Sequence, residues 1–150
     1  MIKHNFSLLC SRTSVDENTK SLSIFDVIEQ IFVCAESSEI VRIPLHFEII
    51  SHWRRTDNNV PAKGLVRVYL KDPKGITKRK LEMNIELTEA PFFRSIVRVS
   101  GLELRGPGEY NFIVDLQQED GKWKKVTSIP FIVNYERTPN NEVESPSESF

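Results

Sequence analysis

Alternating apolar and polar positions run through most of the chain. From Gly108 to Leu116, Tyr110, Phe112, Val114 and Leu116 share one face, and Asn111, Ile113 and Asp115 take the other. That is the period of a strand, launched here by the tight turn Gly106-Pro107-Gly108. A polar loop, Gln117 to Lys122, separates it from a second run, Trp123 to Tyr135, in which Ile129, Phe131, Val133 and Tyr135 share a face. A Tyr at a strand start, followed by a last strand paired back onto it, describes the end of a β-sandwich.

The same reading applied from the N-terminus predicts a strand over Lys3 to Cys10, then the polar turn Ser14 to Lys20. Leu22 to Val27 is predicted as a strand. Ile24, Val27, Ile28 and Ile31 also fall at helical spacing, so a helical turn through Ile28 to Phe32 stays open. Ile40 to Arg54 is the longest alternating run. Val41, Ile43, Leu45, Phe47, Ile49 and Trp53 share a face, interrupted only by Ser51. Pro44 has no N–H to give, so its neighbourhood is expected to be an edge or a bulge.

Gly64 to Lys71 and Ile76 to Leu87 form a predicted hairpin across Asp72-Pro73-Lys74-Gly75, which has the composition of a type I turn with a left-handed Gly. Keeping Val66, Val68 and Leu70 together with Leu81, Met83, Ile85 and Leu87 inward sets Val68 opposite Leu81 and Arg67 opposite Glu82. Arg67 and Glu82 are then expected to form a cross-strand ion pair, and the turn needs an even number of residues or a bulge. Phe93 to Val99 is the next strand, and Gly101 to Arg105 leads into the Gly106 turn. Eight extended runs over 135 residues predict an all-β chain, a single antiparallel β-sandwich, Ig-like or C2-like. Residues 1–135 form that domain. Residues 136–150, rich in Glu, Ser, Pro and Asn, read as a disordered acidic tail.

These motifs also resemble, as a set, one known family. They are Leu9-Cys10 to Asp16, Thr19 to Phe25, the Arg42 to Trp53 strand, Leu70 to Gly75, Leu102 to Arg105 before Pro107 to Tyr110, and Ile129 to Val133. The pattern is similar to a bacterial family of uncharacterised small β-sandwich proteins, over most of residues 8 to 135. The resemblance implies the fold. It implies no activity, substrate or catalytic residue.

Composition narrows the classes further. A chain of 150 residues can bury about 68–70% of its unfolded surface without staples. A net charge of −1 gives no global field toward nucleic acid or membrane. The N-terminal apolar run is too short for a signal peptide, and no run approaches the ~20 residues of a membrane helix. Two cysteines, Cys10 and Cys34, make no disulfide framework; both are read as buried thiols in a reducing, cytoplasmic setting, with a single bridge as the lesser option.

Catalytic signatures are missing. His46 and His52 lie six apart in one strand, about 20 Å at ~3.3 Å per residue, too far for one metal. There is no Gly-x-Ser-x-Gly, no CxxC and no phosphate loop, so no cofactor, metal or catalytic residue is expected. Charge is unevenly spread. Between Arg54 and Lys80 lie nine cations and two carboxylates, +7 over 27 residues. Arg67, Tyr69, Lys71, Lys78 and Lys80 are expected on one face of the hairpin, with Arg54 and Arg55 preceding it. Trp123, between lysines near a loop, is a further contact candidate. These residues predict a non-enzymatic interaction module that binds another protein through a sheet edge or this basic face. The alternative is an anionic ligand (nucleic acid, phospholipid or carbohydrate) on the same strip, and a hydrolytic enzyme ranks third. Lysines that merely keep an edge strand from aggregating would leave the same pattern.

Overall fold

A computed structural model describes residues 1–137. Nine strands run through them: β1 (Ile2–Val15), β2 (Leu22–Val27), β3 (Gln30–Cys34), β4 (Ile40–Arg55), β5 (Ala62–Lys71), β6 (Thr77–Leu87), β7 (Phe92–Arg105), β8 (Gly108–Gln117) and β9 (Trp123–Glu136). They form two sheets, a four-stranded one in the order β2-β1-β4-β7 and a five-stranded one in the order β3-β9-β8-β5-β6. The expected tail lies outside the described residues, except for Glu136, which closes β9, and Arg137.

The ninth strand is β3. The helical spacing of Ile24, Val27, Ile28 and Ile31 is not realised, because Asp26 takes a positive φ of 52° and the chain crosses from one sheet to the other. Ile31 and Val33 then point inward and Phe32 outward, with the period of a strand. β3 pairs with β9 in parallel, so the architecture departs from the expected all-antiparallel pairing at this one edge. Cys34, expected to be buried, is exposed at the end of β3, while Cys10 is buried; both thiols are free.

The two sheets face each other over one core. Leu9, Phe47, Ile49, Trp53, Val97, Leu102 and Leu104 come from the four-stranded sheet, and Val66, Val68, Ile85, Leu87, Tyr110, Phe112, Val114, Phe131 and Val133 from the five-stranded one. Phe47 crosses to Phe112 at 5.9 Å between ring centroids, and Phe112 stacks on Phe131 at 5.6 Å. Hairpin register follows the pattern: Val68 lies opposite Leu81 and Arg67 opposite Glu82. Pro44 sits in a bulge of β4, where the pairing with β7 shifts between Ile43 and His46. That shift turns Leu45 partly to solvent, against its expected place on the core face.

Turn chemistry ties strand ends together. Asp72, buried at 6% exposure, accepts hydrogen bonds from the backbone N–H groups of Lys74 and Ile76, and Gly75 follows at a φ of 79°. Gly108 has a φ of 136°, and a Cβ there would lie 2.9 Å from Pro73 Cγ, so the two turns interlock only around a glycine. Tyr110 closes this corner. Its hydroxyl donates to Gly106 O at 2.7 Å and accepts from Arg105 N–H at 2.8 Å, and burial raises its pKa. Tyr110→Phe should therefore lower stability by about 1–3 kcal/mol, because two backbone groups lose their partner. Urea unfolding checks this, and an unchanged midpoint would remove the corner from the account.

Candidate functional site

The structure divides the basic segment among three places. Arg67, Tyr69, Lys80 and Trp123 meet on the outer face of the five-stranded sheet. Arg67 does not pair with Glu82. Its Nε donates to Asp115 Oδ2 at 3.0 Å, and its guanidinium lies over Trp123 at 4.3 Å and near Tyr69 at 5.5 Å. Asp115 is 3% exposed and the Arg67 side chain 19%, so the pair is a covered, internally satisfied unit. Lys80 approaches the Tyr69 ring at 5.7 Å. Burial, followed by the Asp115 carboxylate, raises the Tyr69 pKa. Lys71 ends β5, half-buried opposite Thr77 and Asn111.

Arg54 and Arg55 are elsewhere, at the end of β4. Arg54 lies opposite Phe92 and Lys3, and Arg55 Nη1 donates to Leu87 O at 3.0 Å. They do not join Arg67, Tyr69 and Lys80 on the outer face.

Lys78 departs from expectation in direction. The β5–β6 register shifts by one residue between Tyr69 and Leu70, and Arg79 has a φ of 44°. This bulge places Lys78 opposite Leu70, on the inner side of the sheet, and not beside Lys80. From there Lys78 reaches Glu103 of β7 at 3.5 Å. Arg42 and Arg105 also reach Glu103, at 3.3 and 3.2 Å. Desolvation opposes the Glu103 charge, but hydrogen bonds from Lys78 and Arg105, with their charges, hold its pKa below the ordinary carboxylate value.

Beside this bridge the sheets part. Among the described residues β6 pairs only with β5 and β7 only with β4, so each leaves one edge open along the same side of the molecule. Between them is a cleft of about 1100 Å³. Ile43, Ile49, Val68, Leu70, Val97 and Phe112 supply its apolar floor. Leu81 points inward as its pattern requires, yet is 49% exposed, because it opens onto the cleft. Arg42, Lys78, Arg79, Lys80 and Arg98 stand along the lips, with Glu103 as the one carboxylate.

No family model and no curated protein matches the chain. Solved structures similar to it include a β-glucosidase from Listeria innocua in complex with gluconolactone, at 12% identity and a TM-score of 0.46, over 90% of this chain and 17% of that one. The chain thus spans about a sixth of that enzyme's length. The PmoD soluble domain from Methylocystis sp. aligns at 15% identity and a TM-score of 0.32, over 89% of this chain and 97% of that one. Both likenesses are too slight to bear on fold type or activity.

Among the described residues two serine hydroxyls lie within hydrogen-bond distance of a histidine ring, Ser7 at His4 and Ser100 at His46. His4 Nε2 lies 2.7 Å from Ser7 Oγ, which lies 2.7 Å from Ser51 Oγ. Burial lowers the His4 pKa, opposed by a hydrogen bond with the Phe6 backbone. Ser7 pairs across to Ser51 and Ser51 to Ser95, a row of small side chains beside Trp53 and remote from the cleft lining. The row faces the core, where it satisfies its own hydroxyls and the Trp53 indole. Cys10 is similarly unsuited to nucleophilic work, since burial and the nearby Glu48 carboxylate raise its pKa, with only the Arg12 backbone opposing. His46 bonds to Ser100 and His52 to Asn5, and the described residues contain no cluster of three metal-ligating side chains. No helix among the described residues is long and apolar enough to cross a membrane.

The feature that sequence reasoning missed is the cleft. Its walls come from strands read as ordinary core strands, and the local signal was the parity of the Asp72 turn, which required an even number of turn residues or a bulge.

Proposed function

We propose that this protein is a non-enzymatic binding module that engages another protein along the open edges of β6 and β7. The single observation that carries this reading is the pair of unpaired edges flanking an apolar cleft of about 1100 Å³. Edge strands are liabilities that folds usually blunt, and a partner strand satisfies both the backbone groups and the apolar side chains beneath them. The outer basic face supports binding less well, because Arg67 is held by Asp115 and Trp123. Cations along the cleft lips favour the second reading, an anionic ligand.

Of the Ig-like and C2-like options, we favour Ig-like connectivity. The Tyr110 corner and the crossing of β3 to run parallel to β9 support it. Two free thiols, one of them exposed, support a reducing cytoplasmic setting. The resemblance to a bacterial sandwich family fits the same reading.

The test is tagged capture from the source lysate at moderate salt, with and without nuclease, using the native chain beside Leu81→Glu. A stoichiometric protein that survives nuclease should be retained by the native chain. A charge buried against the cleft floor should weaken its capture by about tenfold or more. Equal capture by both proteins would sink the edge reading. Capture that disappears with nuclease would move the assignment to the anionic alternative.

A further inference from the structure

Resting on the edge-binding reading above, we infer that the segment bound in the cleft is an extended peptide of about seven residues that alternates apolar and acidic side chains. The length comes from the cleft wall. Val97 to Glu103 of β7 line it, and a strand laid along them spans about 20 Å at ~3.3 Å per residue. The alternation comes from the pleat. In a strand added to β7, every second side chain turns into the space above Leu81, Leu70 and Phe112, and the others share the side on which Arg98 projects.

The charge comes from the lips. Arg98 is placed as a cross-strand neighbour of the outward positions, where opposite charges attract and like charges repel. Its side chain is 76% exposed and reaches Glu48 only at 3.5 Å. Across the mouth stands Arg79, which forms no ion pair among the described residues, while Lys80 turns its ammonium toward the Tyr69 ring. Glu103, the one carboxylate of the lining, is already shared by Arg42, Lys78 and Arg105. Basic outward residues would lie beside Arg98, the cation nearest them, whose own partner is Glu48 on the neighbouring strand. The bulge at Arg79 sends Lys78 inward to mark one end of the cleft, and Leu81, two residues on, is half-exposed in its lining.

The experiment titrates the full chain with three labelled nine-residue peptides, read by fluorescence anisotropy at low and high salt. One alternates glutamate with valine and leucine, one replaces each glutamate by lysine, and one scrambles the acidic peptide so that the alternation is lost. Oleate below its micellar concentration is a fourth probe. The acidic alternating peptide should bind at least about tenfold tighter than either control and weaken with salt. Amide NMR shifts should fall on residues 97–103 of β7. Arg98→Glu, a change at an exposed position, should narrow or invert the preference for acidic over basic peptide, and Leu81→Glu should abolish binding. Equal affinity for acidic and basic peptides, or binding that survives Leu81→Glu, overturns the inference. So does oleate shifting the cleft residues where the acidic peptide does not, in favour of an anionic amphiphile. If no peptide binds but the native chain still captures a lysate protein that Leu81→Glu releases, the acidic-apolar specification falls and the edge reading stands. If that capture is also insensitive to Leu81→Glu, both fall.

Discussion

Asp115→Ala is expected to destabilise the protein by about 3–5 kcal/mol, the cost of breaking a covered ion pair from one side. Asp115 is 3% exposed, and its carboxylate accepts the Nε and Nη2 hydrogen bonds of Arg67. Trp123 and Tyr69 flank the guanidinium, so water cannot readily replace the lost partner. Most of the loss comes from an unpaired charge left under two aromatic rings. The double replacement Arg67→Met with Asp115→Leu should therefore recover most of the stability, since no charge then remains. Urea unfolding of the two single variants and the double variant measures the effect. A cost under about 1 kcal/mol for Asp115→Ala would mean that solvent reaches Arg67, and would return the outer face to the list of binding surfaces.

Trp53→Ala should cost about as much, 3–5 kcal/mol, through the cavity it leaves. Trp53 is fully buried, and its Nε1 donates to Ser95 Oγ at 2.9 Å. The row Ser7, Ser51, Ser95 beside it consists of small side chains that cannot expand into the vacated space. At about 2–4 °C per kcal/mol for a domain of this size, the melting temperature should fall by roughly 6–20 °C. Trp53→Phe keeps most of the volume but leaves Ser95 without its donor, so a loss on the order of 1–2 kcal/mol is expected. Thermal unfolding followed by circular dichroism checks both, and Trp123 remains as a fluorophore in each variant. A shift within about 3 °C for Trp53→Ala would show that the core near the serine row collapses around the gap.

Much of this architecture was legible in the chain because it depends on neighbours in sequence. The Asp72 to Gly75 turn, the Val68–Leu81 register and the Tyr110 corner each involve residues within about a dozen positions, where pattern and turn chemistry act directly. Pro44 marked its bulge for the same reason. Sequence offers Glu82 as the ion partner of Arg67 because the hairpin neighbour is visible locally, whereas Asp115 arrives from a strand 48 residues away. Periodicity puts Lys78 on the outer face, but one bulge residue reverses every side chain beyond it, and parity alone does not say where the extra residue sits. Cys34 and the helical spacing near Ile28 misled in a similar way. A five-residue strand such as β3 is too short for its period to outweigh a competing one.

By itself the sequence determined eight of the nine strands, most of their inward faces, the hairpin register and the turns, since two-residue periodicity and backbone preferences are local. Only the tertiary structure decided that β3 crosses to run beside β9, that Arg67 is neutralised, and that β6 and β7 stand apart around an open cleft. Those outcomes depend on which edges remain unpaired once two sheets pack over one core. Alternation along a strand reads the same whether the face it turns inward meets another side chain or an open space.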